Sequence, residues 1–74
     1  MDINTFVQKF AEQFDETVNI SSDTVFHELD EYSSLIALSI IAMVDEEYDV
    51  QLKGDDMRSA ITVADLFDIV NSRI

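Results

Sequence analysis

Three segments of the chain show the apolar spacing of an amphipathic or buried helix. The first predicted helix covers residues 2 to 16, and its apolar positions fall on one face: Ile3, Phe6, Val7, Phe10 and Phe14. The second is predicted from the serines at 33 and 34 to about Tyr48, and between Leu35 and Val44 only Ser39 is not apolar. The third follows Thr62, with its apolar positions at Val63, Leu66, Phe67, Val70 and Ile74.

Two local features refine this pattern. Ser33 is suited to begin the second helix as its N-cap, and Thr62 with Asp65 resembles a capping box that has Asp in place of Glu. The segment KGDDMRSA contains Gly54, the only glycine, and a short candidate turn of helix. We therefore predict an all-α fold, a small bundle of three to four helices with a long first loop.

The predicted loop covers residues 17 to 32 and has no sustained hydrophobic period. Four apolar side chains are candidates to hold it against a core: Ile20, Val25, Phe26 and Leu29. His27 is interpreted as an ordinary loop residue. A connection of this length without regular structure often has a functional reason.

Composition narrows the possible functions. The 74 residues predict one domain, residues 1–74, and a chain with no Cys and one His offers no thiolate or histidine metal site. The net charge of −12 disfavours nucleic acid and anionic lipid and favours basic protein surfaces as partners. The sequence shows no signal-peptide pattern and no membrane-spanning run, so we expect a cytoplasmic protein without membrane insertion, and a monomer. It also shows no nucleophile–base pair, so we expect that the chain is not an enzyme.

The middle helix is more apolar than burial of a single face requires. Either the other helices surround it, or part of its surface contacts a partner or ligand. Asp45, Glu46 and Glu47 lie at its C-terminal end, where each exposed acid opposes the helix dipole by about 0.3–1 kcal/mol. These acids form either a solvated face or a binding site for a basic partner.

The stretch SSLIALSIIAMVDEEYDVQL resembles the second helix of acyl carrier proteins. That family reads Asp-Ser-Leu, then a hydrophobic helix, then two or three acids and an aromatic residue. Ser34 and Leu35 match the Ser-Leu pair, the acids at 45 to 47 match the acidic group, and Tyr48 matches the aromatic residue. The segment ITVADLFDIVNSRI resembles the last helix of the family, and Phe26 and Leu29 resemble anchors of its long first loop.

The resemblance implies that Ser34 receives 4′-phosphopantetheine from coenzyme A and carries acyl groups as thioesters, in fatty acid or specialised lipid or polyketide biosynthesis. The implied partners are a phosphopantetheinyl transferase and acyl-transferring or condensing enzymes with basic surfaces. The transferase supplies the chemistry, so the serine needs no histidine partner. The residues expected to bind partners are Leu35, Ile36, Ser39, Met43, Asp45, Glu46 and Glu47. We expect the acyl chain to lie between helices, lined by Phe6, Phe26, Ile40, Val44, Ile61 and Leu66.

The chain departs from the family pattern at several positions. Ser33 stands where the family has Asp, and Ile36 and Ser39 stand where the family often has acids. The glycine usual in the loop ahead of the motif is also replaced. We expect from these departures a specialised carrier with a more hydrophobic partner, which an exposed Ile36 would suit. The alternative is an unmodified acidic helical adaptor that binds a basic or hydrophobic protein.

Overall fold

A computed structural model of the protein describes residues 2–15 and 19–74. The elements in chain order are α1 (Ile3–Ala11), a short 3₁₀ helix η1 (Phe26–Glu28), α2 (Ser34–Tyr48), α3 (Gly54–Ser59) and α4 (Val63–Ser72). The fold is the small all-α bundle that the hydrophobic pattern predicts. No helix in the described part of the chain is long and apolar enough to cross a membrane.

Helix α1 is shorter than predicted. Asp2 caps its start by accepting hydrogen bonds from the backbone N–H groups of Asn4 and Thr5. After Ala11 the backbone continues in tighter turns. Gln13 and Phe14 donate their backbone N–H groups to the carbonyls three residues earlier, each at 3.1 Å, and not to those four residues earlier as in an α-helix. Phe14 nevertheless remains buried, so the apolar period continues past the end of the helix. The predicted end at residue 16 lies outside the described residues.

Helix α2 has the span predicted from its sequence. The Ser33 hydroxyl accepts a hydrogen bond from the backbone N–H of Ile36 at 3.3 Å, as expected of an N-cap. The helix ends at Asp49, whose φ of 57° lies in the left-handed region. A residue in this conformation is a common helix terminator, although glycine usually takes the position.

Helices α3 and α4 also begin with capping interactions. The predicted box at α4 is present, because Thr62 Oγ1 accepts from the Asp65 N–H at 3.1 Å and Asp65 Oδ2 accepts from the Thr62 N–H at 3.0 Å. At α3, Asp56 accepts from the backbone N–H of Lys53 at 2.9 Å. Arg73 donates to both carboxylate oxygens of Asp56, at 2.8 and 2.7 Å, and joins the end of α4 to α3.

The long first loop is bonded to the start of α4. Val25 forms an isolated antiparallel bridge with Thr62, and the N–H groups of Val63 and Ala64 donate to the carbonyls of Thr24 and Ser22. Phe26, at the start of η1, has no exposed surface. The predicted anchoring of the loop is therefore confirmed at Phe26.

The core lies where all four helices and the loop meet. Its largest fully buried side chains are Phe6, Phe10, Phe26, Ile40, Val44, Val63, Leu66 and Val70. The aromatic rings contact edge to face, with Phe10 and Phe26 centroids 5.4 Å apart and Phe6 and Phe67 centroids 5.6 Å apart. Because α1, α2, α4 and the loop all contribute, the loop and α2 pack against the same core.

Candidate functional site

Ser34 is the first residue of α2 and its side chain is exposed. The neighbouring serine performs the capping, since Ser33 accepts the hydrogen bond from Ile36. Both serines are exposed, but only the Ser33 hydroxyl is bonded to the backbone of the helix. A nucleophile or attachment point at this place is accessible from solvent.

A groove of about 420 Å³ runs beside Ser34 between the start of α2 and α3. Aliphatic and thioether side chains form much of its wall, together with the rings of His27 and Tyr32. Arg58 is the one guanidinium or ammonium group among the described residues that line it. The full lining comprises His27, Tyr32, Ser33, Ser34, Ala37, Leu38, Ile41, Gly54, Met57 and Arg58. The groove can accommodate a slender, largely apolar group attached at Ser34.

His27 connects the loop to the end of α3. Its Nε2 atom lies 2.8 Å from the Met57 carbonyl oxygen and 3.0 Å from the Ala60 carbonyl oxygen. Both carbonyls can only accept, so Nε2 carries the hydrogen and donates to them. The ring also stacks on Phe26, with a centroid separation of 4.4 Å. His27 is thus a loop residue, as predicted, but its contacts with α3 are not local in sequence and the sequence did not indicate them.

The two tyrosines of the chain lie near opposite ends of α2. Burial raises the pKa of the Tyr32 hydroxyl, which belongs to the groove, and of the Tyr48 hydroxyl at the end of α2. Tyr48 lies against Phe6, with ring centroids 5.9 Å apart. Its oxygen is buried and has no hydrogen-bond partner among the described residues. Both phenols therefore serve mainly as packing surfaces.

The three acids at the end of α2 are in different environments. All three are exposed, but Glu47 also forms an ion pair with Lys9 of α1, at 2.6 Å. This contact raises the pKa of Lys9. Ser39 and Glu46 border the same shallow groove between α1 and α2 as this pair. Glu47 is therefore engaged within the molecule, while Asp45 and Glu46 face solvent.

The expected exposure of Ile36 is wrong. Ile36 and Met43 are 9% and 8% exposed and belong to the core, so neither presents a large surface to a partner. The large apolar residues that α2 exposes are instead Leu35 and Leu38, at 73% and 62%. The reason is rotational: the face of α2 that carries Ile36, Ile40 and Met43 is turned towards the core.

Five of the six residues expected to line an acyl chamber lie together in the core. Phe6, Phe26, Ile40, Val44 and Leu66 have no exposed surface and belong to one cluster. Ile61 was expected to lie among them, but its side chain is 61% exposed and does not belong to the core. It stands in extended chain beside the Val25–Thr62 bridge, where successive side chains point to opposite sides, and its neighbour Ala60 takes the buried side.

Comparisons of the chain with protein-family models, with curated proteins and with solved structures found no match in any of the three. A functional assignment therefore depends on the geometry around Ser34 and on the chemistry of the sequence.

Proposed function

We propose that this chain is an acyl carrier protein, modified with 4′-phosphopantetheine on Ser34 and working as a monomer in the cytoplasm. The observation that supports this most directly is the position of Ser34. It is an exposed hydroxyl in the first turn of a helix, it is not used as the cap, and it lies at an apolar groove. The acidic chain and the all-α fold agree with this proposal.

The attachment chemistry requires little of the chain itself. The serine oxygen forms a bond to the phosphorus next to the pantetheine, the phosphoanhydride bond of coenzyme A breaks, the nucleotide bisphosphate leaves, and the hydroxyl proton passes to a base. A partner transferase would supply that base, because His27, which lines the same groove, is not hydrogen-bonded to Ser34 and is bonded instead to carbonyls of α3. The resulting phosphodiester would lie at the positive end of the α2 dipole.

The residues that would meet a partner are the exposed ones of α2. Leu35 and Leu38 provide apolar surface at the start of the helix, and Asp45 and Glu46 provide negative charge at its end. This combination fits a partner with a hydrophobic contact and a basic rim. It supports a specialised carrier more than one shared by many enzymes.

Mass spectrometry tests the attachment directly. We expect the purified protein, incubated with coenzyme A and a promiscuous phosphopantetheinyl transferase, to gain the mass of one arm. Ser34→Ala should abolish the gain because the acceptor oxygen is lost. Ser33→Ala is the matched control and should still be modified. A gain retained in Ser34→Ala would contradict the assignment of the site.

An attached acyl chain is expected to enter the core between the helices. Because Phe6, Phe26, Ile40, Val44 and Leu66 are fully buried, the chain must displace them, and longer acyl groups should displace more of them. We expect backbone amide shifts at these five positions to grow with chain length in nitrogen-15 spectra. Exposed Ile61 serves as the internal control. Shifts confined to residues beside Ser34 would show that the chain stays in solvent.

An unmodified adaptor is the second candidate, and the exposure of Leu35 and Leu38 favours it. Surface leucines of this kind can form a docking contact without any prosthetic group. If several transferases and coenzyme A leave the mass unchanged, the adaptor is the better assignment.

A further inference from the structure

We propose that Arg58 binds the phosphate of the arm on Ser34, so that the first part of the arm lies along the groove between α2 and α3. This inference rests on the proposed function. It concerns a positioning role for a residue of α3, which the sequence did not single out.

The distribution of positive charge carries the inference. The chain has four Lys and Arg residues against sixteen Asp and Glu. Lys9 is paired with Glu47 at the other end of α2, and Arg73 is paired with Asp56. Lys53 lines a neighbouring groove and is not among the residues that line the one at Ser34. Arg58 shares the groove with Ser34. In a field dominated by carboxylates, a phosphodiester at Ser34 therefore has one guanidinium beside it to offset repulsion.

The setting of Arg58 leaves donors available for an anion. Its Nη2 donates to Asp55, and both side chains are largely exposed, at 73% and 88%. A pair this exposed is weak and exchanges readily with solvent or another anion. A guanidinium has five N–H donors in a planar fork that matches two phosphate oxygens. A phosphate can therefore replace or share the contact with Asp55.

Gly54 leaves room for the guanidinium of Arg58 at the groove. It is the first residue of α3, it also lines the groove, and a Cβ atom placed on it would stand 3.3 Å from Arg58 Nη1. A side chain at this position would push the guanidinium aside by a few tenths of an ångström. Gly54 has no positive φ, so alanine fits its backbone conformation.

The experiment compares apo and arm-bearing protein by nitrogen-15 and phosphorus-31 spectroscopy. We expect attachment at Ser34 to shift the Arg58 Nε–H resonance and the amides of Gly54 and Met57, which are distant in sequence from the serine. In Arg58→Gln the amide shifts should fall by at least half, and the phosphorus resonance should move. Lys53→Gln is the matched control, because it removes the same charge from a neighbouring groove.

Each outcome separates the two proposals. No mass gain overturns both the carrier function and the role of Arg58. A mass gain without shifts at Gly54 and Met57, or with equal shifts in Arg58→Gln, overturns the role of Arg58 alone.

Gly54→Ala, which displaces the guanidinium but keeps its charge, should also reduce the Arg58 Nε–H shift. Full shifts in that variant would contradict the proposed geometry. Equal melting temperatures for all variants would confirm that folding is unaffected.

Discussion

At the scale of single residues, Asp49 adopts a conformation that glycine takes more readily. Its φ of 57° and ψ of 37° place it in the left-handed region, where a side chain crowds the backbone. It also adds negative charge at the C-terminal end of α2, next to the exposed acids at 45 and 46. Aspartate tolerates this region better than most residues, but glycine has no Cβ to crowd.

We therefore expect Asp49→Gly to increase the free energy of unfolding by about 1 kcal/mol, measured by urea denaturation. Asp49→Ala separates conformation from charge, since it removes the carboxylate but keeps the Cβ. It should gain less than the glycine variant. Equal gains in the two variants would mean that charge, and not backbone conformation, determines the effect.

Single residues also show where the sequence is insufficient. Ser33, Thr62 and Asp65 were identifiable because capping depends on neighbours within three positions. The burial of Ile36 was not, because α2 is apolar on nearly every side and its period does not identify the face that meets the core. The bonds of His27 to α3 join residues about thirty positions apart, a separation at which single-sequence patterns carry no signal.

At the scale of elements, the two serines that open α2 have different tasks. Both are exposed, but the Ser33 hydroxyl accepts a hydrogen bond from a backbone N–H of the first turn, whereas the Ser34 hydroxyl does not cap the helix. We expect Ser33→Ala to lower the free energy of unfolding by about 1 kcal/mol, and Ser34→Ala to change it by less than about 0.5 kcal/mol. Thermal and urea unfolding of both variants measure this. A larger loss in Ser34→Ala would show that Ser34, not Ser33, caps the helix.

The elements were predictable to different degrees. The span of α2 follows from a local cap at one end and a change of composition at the other. The early end of α1 was not apparent, because Phe14 continues the apolar period and stays buried after the helical bonds have stopped. The spacing of apolar residues indicates which side chains face the core. It does not indicate whether the backbone between them is helical or forms tight turns.

At the scale of the whole molecule, the pair between Asp56 and Arg73 ties the last residues of the described chain to α3. Hydrogen bonding from the Arg73 guanidinium lowers the pKa of Asp56 from 3.8 to about 2. A carboxyl whose pKa is lower in the folded state stabilises the fold above its unfolded pKa, and that contribution is lost as the pH falls through the folded value. The pair therefore contributes fully above pH 3.8 and loses its effect towards pH 2.

We expect the difference in melting temperature between the wild type and Asp56→Asn to be largest near neutral pH and to shrink between pH 3.8 and pH 2. Acid also protonates the other carboxylates and so reduces the repulsion within a chain of net charge −12. This effect is common to both proteins and cancels in the difference between their melting temperatures. Asp55→Asn, next in sequence and exposed, is the matched control. A difference that stays constant down to pH 2 would contradict the assignment.

The bridge between the first loop and α4 has a consequence for how the molecule comes together. The carbonyls of Ser22 and Thr24 take up the N–H groups of Ala64 and Val63, so the start of the last helix is completed by residues about forty positions earlier in the chain. The first loop is thus held against the start of α4 by backbone hydrogen bonds. These contacts must wait until residues 62–64 have been made, and a polypeptide that has not yet reached them during synthesis would lack the partner that gives this segment its shape.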